Sequence, residues 1–333
     1  MKIEFNKTGY DPFIDFIKAF AILAVLAGHT SLHLRESGYA LWYGMQVPLF
    51  VLVQTFHVLK KEDYRLDFKK LFLRIFLPFL AVQAVLICYG LLTSEDTGAF
   101  LRYTIRGGGL GMGSYFPWIY LQLALVLAAV AKVRARFGPC AGRGPRIAIA
   151  LGALVVSEGL EILCSVAGIS ENLYRLLAVR YVFLIYLGWV WVDKGIVLNV
   201  KTVLLSLLSL GTIVFFYYFY RPMEPWLFDS PGWSFHRWPC YFYVSTLMCG
   251  LLYFLYRLLS RSRICERAVR MLARCSYDIF LMQMLVIRLL PRRTSFAFIS
   301  DASLRAWVRI LVIWILSLLG GYLLNKLYTR KLR

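Results

Sequence analysis

The chain has 333 residues, 60% of them hydrophobic and 16% aromatic, with only 17% charged and a formal net charge of +20. A soluble domain carries roughly 45–50% apolar and about 25% charged residues; the excess here falls in runs of about twenty residues, the length that crosses a hydrocarbon core of ~30 Å. That excludes an ordinary soluble enzyme, and the basic residues sit in short loops between apolar runs, so the charge reads as a topology signal rather than a nucleic-acid footprint.

Ten apolar spans follow one another, at about 12–32, 40–59, 71–92, 115–132, 146–168, 176–193, 197–219, 238–258, 274–290 and 304–325. With the N-terminus inside, the inner segments hold 24 lysines and arginines and the outer segments 10. The bias predicts an all-α polytopic membrane protein, a bundle of about ten transmembrane helices with both termini cytoplasmic. No repeat, low-complexity tract or soluble domain interrupts it, so residues 1–333 read as a single membrane domain. The N-terminus has no basic n-region followed by a small-residue cleavage site, so the first span reads as retained.

The first span, in FIDFIKAFAILAVLAGHTSLHL, carries Asp15, Lys18 and His29. Lys18 and His29 are eleven residues apart, which puts them within about 20° on one helix face and about 16 Å apart along the axis. Ionisable groups at membrane depth are costly and are candidates for function. A cation near the inner end suits an anionic substrate from the cytoplasm, and an imidazole suits proton transfer to or from a hydroxyl. The competing reading has Lys18 snorkelling to the headgroups and His29 bonding a neighbouring helix. His33 follows His29 by four residues, but no third ligand accompanies the pair and no metal site is expected.

In the second span, His57 of Gln54-Thr-Phe-His57 reads as an interfacial residue beside Lys60 and Lys61. Arg74 opens the third. The outer loop near 94–114 contains RGGGLGMG, which fits no P-loop pattern and reads as a flexible loop. Gln122, Glu158, Glu161, Arg180, Asp278 and Gln283 fall inside later apolar runs; together they argue for a polar cavity in the bundle. The outer stretch RPMEPWLFDSPGWSFHRW, with His236, offers rings and charges either to a sugar or to the membrane interface. The seven cysteines show no CxxC spacing, so neither a zinc site nor a disulfide framework is indicated.

Several segments together resemble the acyltransferase-3 family of integral-membrane acyltransferases. IDFIKAFAILAVLAGH is similar to its first-helix signature, with Lys18 and His29 at the basic and histidine positions and Asp15 at the acidic one. VPLFVLVQTF (47–56), KKLFLRIFLPFL (69–80, with Arg74 and Pro78), FPWIYLQLAL (116–125) and CSYDIFLMQ (275–283) resemble the second-, third-, fourth- and late-helix segments. Three places depart from the pattern: Lys18 where arginine is usual, Gln-Thr-Phe-His at 54–57, and Gln283 where histidine is common.

The resemblance implies transfer of an acyl group, most often acetyl, from a cytoplasmic acyl-CoA (acetyl-CoA) to a hydroxyl of a glycan or lipid-linked sugar. Residue by residue, it implies His29 as base or acyl carrier and Lys18 with Arg74 on the anionic donor. Asp15, Trp118, Gln122, Arg180 and Tyr277 would line or shape the cavity. The expected setting is a bacterial cytoplasmic (inner) membrane, among membrane lipids, with no nucleic acid and no bound cofactor; the sequence leaves the oligomeric state open. Two other classes remain on residues alone: a transporter or flippase for a polysaccharide or lipid-linked precursor, and a glycan polymerase.

Overall fold

The helix at the centre of the bundle is the one that carries Lys18 and His29. In a computed structural model, which describes residues 1–30, 45–61, 64–94, 96–106, 108–137, 143–169, 171–174, 176–215, 238–291 and 295–331, α1 runs over Pro12–Thr30. Asp11 starts it: its carboxylate accepts from the backbone N–H of Phe13 (2.9 Å) and Ile14 (3.3 Å), and Pro12 fills the first helical position, where no N–H is needed. About 72% of α1 is buried, against 17–39% for the other long apolar helices. Its polar residues therefore face protein, not lipid.

The remaining helices are α2 (Gln46–Leu59), α3 (Phe68–Thr93), α4 (Thr97–Arg106), α5 (Phe116–Phe137), α6 (Arg143–Val166), α7 (Val182–Lys194), α8 (Val200–Phe215), α9 (Trp238–Tyr243 continuing through Cys249–Leu259), α10 (Arg263–Leu289) and α11 (Ala302–Lys331). The all-α expectation holds, apart from the two-residue strands β1 (Lys2–Ile3) and β2 (Ile196–Val197), which pair antiparallel. Among the described residues, six helices are long and apolar enough to cross a membrane: α1, α3, α5, α6, α9 and α11. The others among the ten expected spans also form helix. α2 and α8 are apolar but shorter, α7 has only 13 residues, and α10 begins at Arg263, eleven residues before the span read from hydropathy. Hydropathy misses that first half because it is amphipathic and rich in arginine.

One end of the bundle gathers the segments assigned above to the inner side. Met1 and Leu198 exchange backbone hydrogen bonds, Lys60 Nζ donates to the Gly9 carbonyl at 2.9 Å, and Arg134 bridges the Leu59 carbonyl and the Asp193 carboxylate. Arg270 lies 5.4 Å over the Tyr10 ring, and Asn325 donates to the Arg274 carbonyl at 3.4 Å. Alternating membrane crossings would produce this sorting.

α10 lies against α1 on one side and α11 on the other. Close approach to α11 depends on Gly321, where an added Cβ would fall 2.6 Å from the Ile279 backbone. Small residues allow such contact between membrane helices. Gly321→Ala is expected to destabilise the protein by about 1–3 kcal/mol, as overpacking does, read as a lowered unfolding midpoint in detergent.

Candidate active site

A cavity of about 570 Å³ runs from the inner-segment end of the bundle up to His29. α1 supplies Lys18, Val25 and His29, α2 supplies Gln46, Phe50, Gln54 and His57, and α10 supplies Arg274, Tyr277 and Phe280. The segment from Lys61 to Ile75 forms another wall.

The two ends of this space differ in chemistry. Lys18, Lys61, Arg65, Lys70, Arg74 and Arg274 surround one end, with Asp67 the sole carboxylate lining it among the described residues. Asp67 caps α3, accepting from the Lys70 N–H at 2.9 Å. Lys18 lies 3.4 Å from the Asp15 carboxylate, whose other oxygen accepts from Tyr10 Oη at 2.9 Å. Burial, reinforced by that carboxylate, pushes the Tyr10 hydroxyl up to about 12, so it stays a donor at neutral pH. Burial also raises the Tyr64 hydroxyl at the cavity mouth, keeping it a neutral donor there.

At the other end, Val25, Phe50, Phe116 and Phe280 make apolar walls around His29. Gln283 of α10, fully buried, hydrogen-bonds His29 Nδ1. Amide O and N atoms are assigned from their hydrogen-bond partners. As placed, Gln283 Nε2 faces His29 Nδ1, and Gln283 Oε1 has no hydrogen-bond partner among the described residues; with the amide turned over, Oε1 accepts the Nδ1 proton of an imidazole that works as a base through Nε2.

The glycine-rich stretch closes this end. The sequence reads it as a flexible loop; residues 108–115 are instead pinned to the bundle. Gln83 both donates to the Leu110 carbonyl (2.9 Å) and accepts from its N–H (2.6 Å), and Trp118 Nε1 donates to the Gly108 carbonyl at 2.6 Å. Gly108, Gly109, Gly111 and Gly113 all have positive φ, which side chains disfavour. A Cβ on Gly113 would lie 2.7 Å from the Phe280 ring and 3.7 Å from His29 Cε1.

Of the residues singled out by sequence, His29, Lys18, Arg74 and Tyr277 meet in the cavity. Tyr277 is held by donating to the Ile75 carbonyl at 2.7 Å, within the π-helical turn Phe72–Phe76 just ahead of Pro78. Proline has no N–H, and the ladder loosens there. Asp15 stands behind Lys18 rather than on the wall. Trp118 packs edge-on against Phe76 (4.9 Å) beneath the glycine turn. Gln122 bridges the Leu176 carbonyl and the Ala178 N–H. Arg180 lies over the rings of Tyr174 (5.7 Å) and Tyr181 (5.9 Å). These last three support the bundle beside the cavity, because their polar ends are used on neighbouring backbone or rings. His33, His236 and nearly all of the 220–238 stretch lie outside the described residues.

The sequence did not single out Gln46, marked Gln54 only as part of the departure at 54–57, and took His57 as interfacial. Gln46 Oε1, Gln54 Oε1 and His57 Nε2 are buried without a hydrogen-bond partner among the described residues, and all three residues line the cavity. Their spacing along α2 (46, 54, 57) puts them on one face, which was the available signal.

The Acyl_transf_3 family model, described as an acyltransferase domain, matches residues 11–326. No curated protein and no solved structure matches.

Proposed function

The chain belongs to the Acyl_transf_3 family and is a membrane acyltransferase, and from that premise we propose that it is an O-acyltransferase moving an acyl group, acetyl foremost, from a cytoplasmic acyl-CoA to a hydroxyl of a glycan or lipid-linked sugar. The observation that carries the reading is a cavity whose cationic end and His29 end are about 16 Å apart along α1. A CoA thioester has the matching polarity: phosphates at one end, the reactive carbonyl at the other. The phosphates meet Lys18, Arg74 and their neighbours. The arm between, with its amides, meets the unpartnered polar atoms of Gln54 and His57.

His29 takes the proton of the acceptor hydroxyl as the oxygen attacks the thioester carbonyl. The tetrahedral intermediate collapses, the C–S bond breaks, and the imidazolium returns its proton to the sulfur. The products are the ester and free CoA. Transfer of the acyl group through His29 Nε2 as a short-lived carrier balances equally well. The topology in this reading is ten spans with both termini cytoplasmic, so the donor enters from inside and the acceptor approaches from the outer face of a bacterial inner membrane.

Membranes containing the protein, given radiolabelled acetyl-CoA, are expected to place label in extracted glycans or lipids. A transporter or flippase would leave the label in solution and move substrate without acyl-CoA; that result would overturn the proposal. Gly113→Val should lower turnover by on the order of 10²-fold, the penalty for misplacing reacting groups by about 1 Å, since the new side chain displaces Phe280 against His29. The same transfer assay, at saturating donor, reads it.

A further inference from the structure

A cleft of about 600 Å³ lies between the first half of α10 and the end of α11, lined by arginines the acyl-transfer chemistry does not use, apart from Arg274. Arg263, Arg267, Arg270 and Arg274 follow one another at spacings of four, three and four. That places all of them within about 60° on one face of the helix. Tyr322, Asn325 and Lys326 of α11 make the opposite wall. The carboxylate in the cleft, Glu266, is engaged with Arg270 at 2.6 Å. Among the described residues, the guanidinium groups of Arg263, Arg267 and Arg274 have no hydrogen-bond or ion-pair partner.

A stripe of like charges along one helix face costs stability. Topology alone does not require it, because the inside bias counts basic residues without regard to the face they occupy. The surroundings indicate what offsets the cost. Leu323 and Leu327 of α11, beside the cleft, are 58% and 62% exposed. In a membrane helix pair those side chains face acyl tails, so the cleft presents cations next to a lipid-facing surface. A soluble anion would use the first feature only; a phospholipid uses both.

We propose that this cleft binds the headgroup of an anionic glycerophospholipid, with Arg263 and Arg267 on its phosphate and its acyl chains along Leu323 and Leu327. Basic pockets between membrane helices suit such headgroups, and guanidinium forks suit phosphate oxygens. The inference depends on the membrane location and not on the acyl-transfer reading, so either can fail alone.

The test uses the full-length protein in detergent, titrated with phosphatidylglycerol, phosphatidylcholine or inorganic phosphate, with the thermal midpoint and lipid retained in native mass spectra as readouts. Phosphatidylglycerol is expected to raise the midpoint saturably and to be retained, and phosphatidylcholine to do neither. The Arg263→Gln/Arg267→Gln variant, changed at two exposed positions, should lose at least half the shift, and Arg263→Lys/Arg267→Lys should keep most of it. Equal responses to the two lipids in the wild-type protein would overturn the site, and so would a full shift in the glutamine variant. Displacement of phosphatidylglycerol by inorganic phosphate would assign the cleft to a soluble anion, and displacement by CoA would return it to the donor site; both overturn the lipid assignment.

Discussion

Replacing His29 by alanine is expected to lower acyl transfer by about 10²–10⁴-fold, the range a positioned acid–base group contributes, and by more if the imidazole carries the acyl group. The loss should appear in kcat with little change in donor KM, because the proposed donor site puts the phosphates at the cationic end of the cavity, about 16 Å away along α1. His29 also hydrogen-bonds buried Gln283, so alanine leaves that amide uncompensated and costs some stability. His29→Asn controls for this: its amide can still pair with Gln283, but it has no group that titrates near neutrality. Both variants should insert and bind CoA while failing to transfer. Wild-type transfer by either would remove His29 from the chemistry.

That residue was legible in the sequence, because two polar side chains eleven positions apart on a membrane helix must share a face. The partners that make it useful were not. Gln283 is 254 positions away, and no local periodicity couples the two. Gly113 belongs to a stretch whose composition suggests mobility; its order comes from Gln83 and Trp118, supplied by separate helices. Trp118, Gln122 and Arg180 showed the opposite limit. A polar residue in an apolar run signals a buried partner, but the partner can be a neighbouring backbone as readily as a substrate. The number of spans was legible only in part, for a related reason. Hydropathy finds the apolar run that becomes α7 but not that its α-helix has only 13 residues, and it misses the first half of α10 because that half is amphipathic. Spacing, not hydropathy, was the signal that would have extended α10 back to Arg263.

Lys18→Ala should act at the other end of the cavity and on the other kinetic constant. A hydrogen bond to a charged group contributes about 1.5–3 kcal/mol, so donor KM is expected to rise by roughly 10- to 100-fold, at about 1.4 kcal/mol per decade. kcat at saturating donor should stay within a few-fold, since Lys18 lies about three turns from the reacting atoms. Asp15 amplifies the effect. In the wild type its carboxylate is shared between Lys18 at 3.4 Å and Tyr10 at 2.9 Å; without Lys18 it becomes a carboxylate close to where phosphates bind. Asp15→Asn in the Lys18→Ala background should therefore recover part of the lost donor affinity, a rescue that a purely structural role for the pair would not give. Lys18→Arg keeps the charge and adds a fork suited to phosphate oxygens, so its donor KM should match or fall below that of the wild type. Added salt should raise KM less in Lys18→Ala than in the parent, because one screened contact is already gone. A kcat loss with unchanged KM in Lys18→Ala would place Lys18 in the chemistry instead and reverse the direction in which the donor is taken to lie.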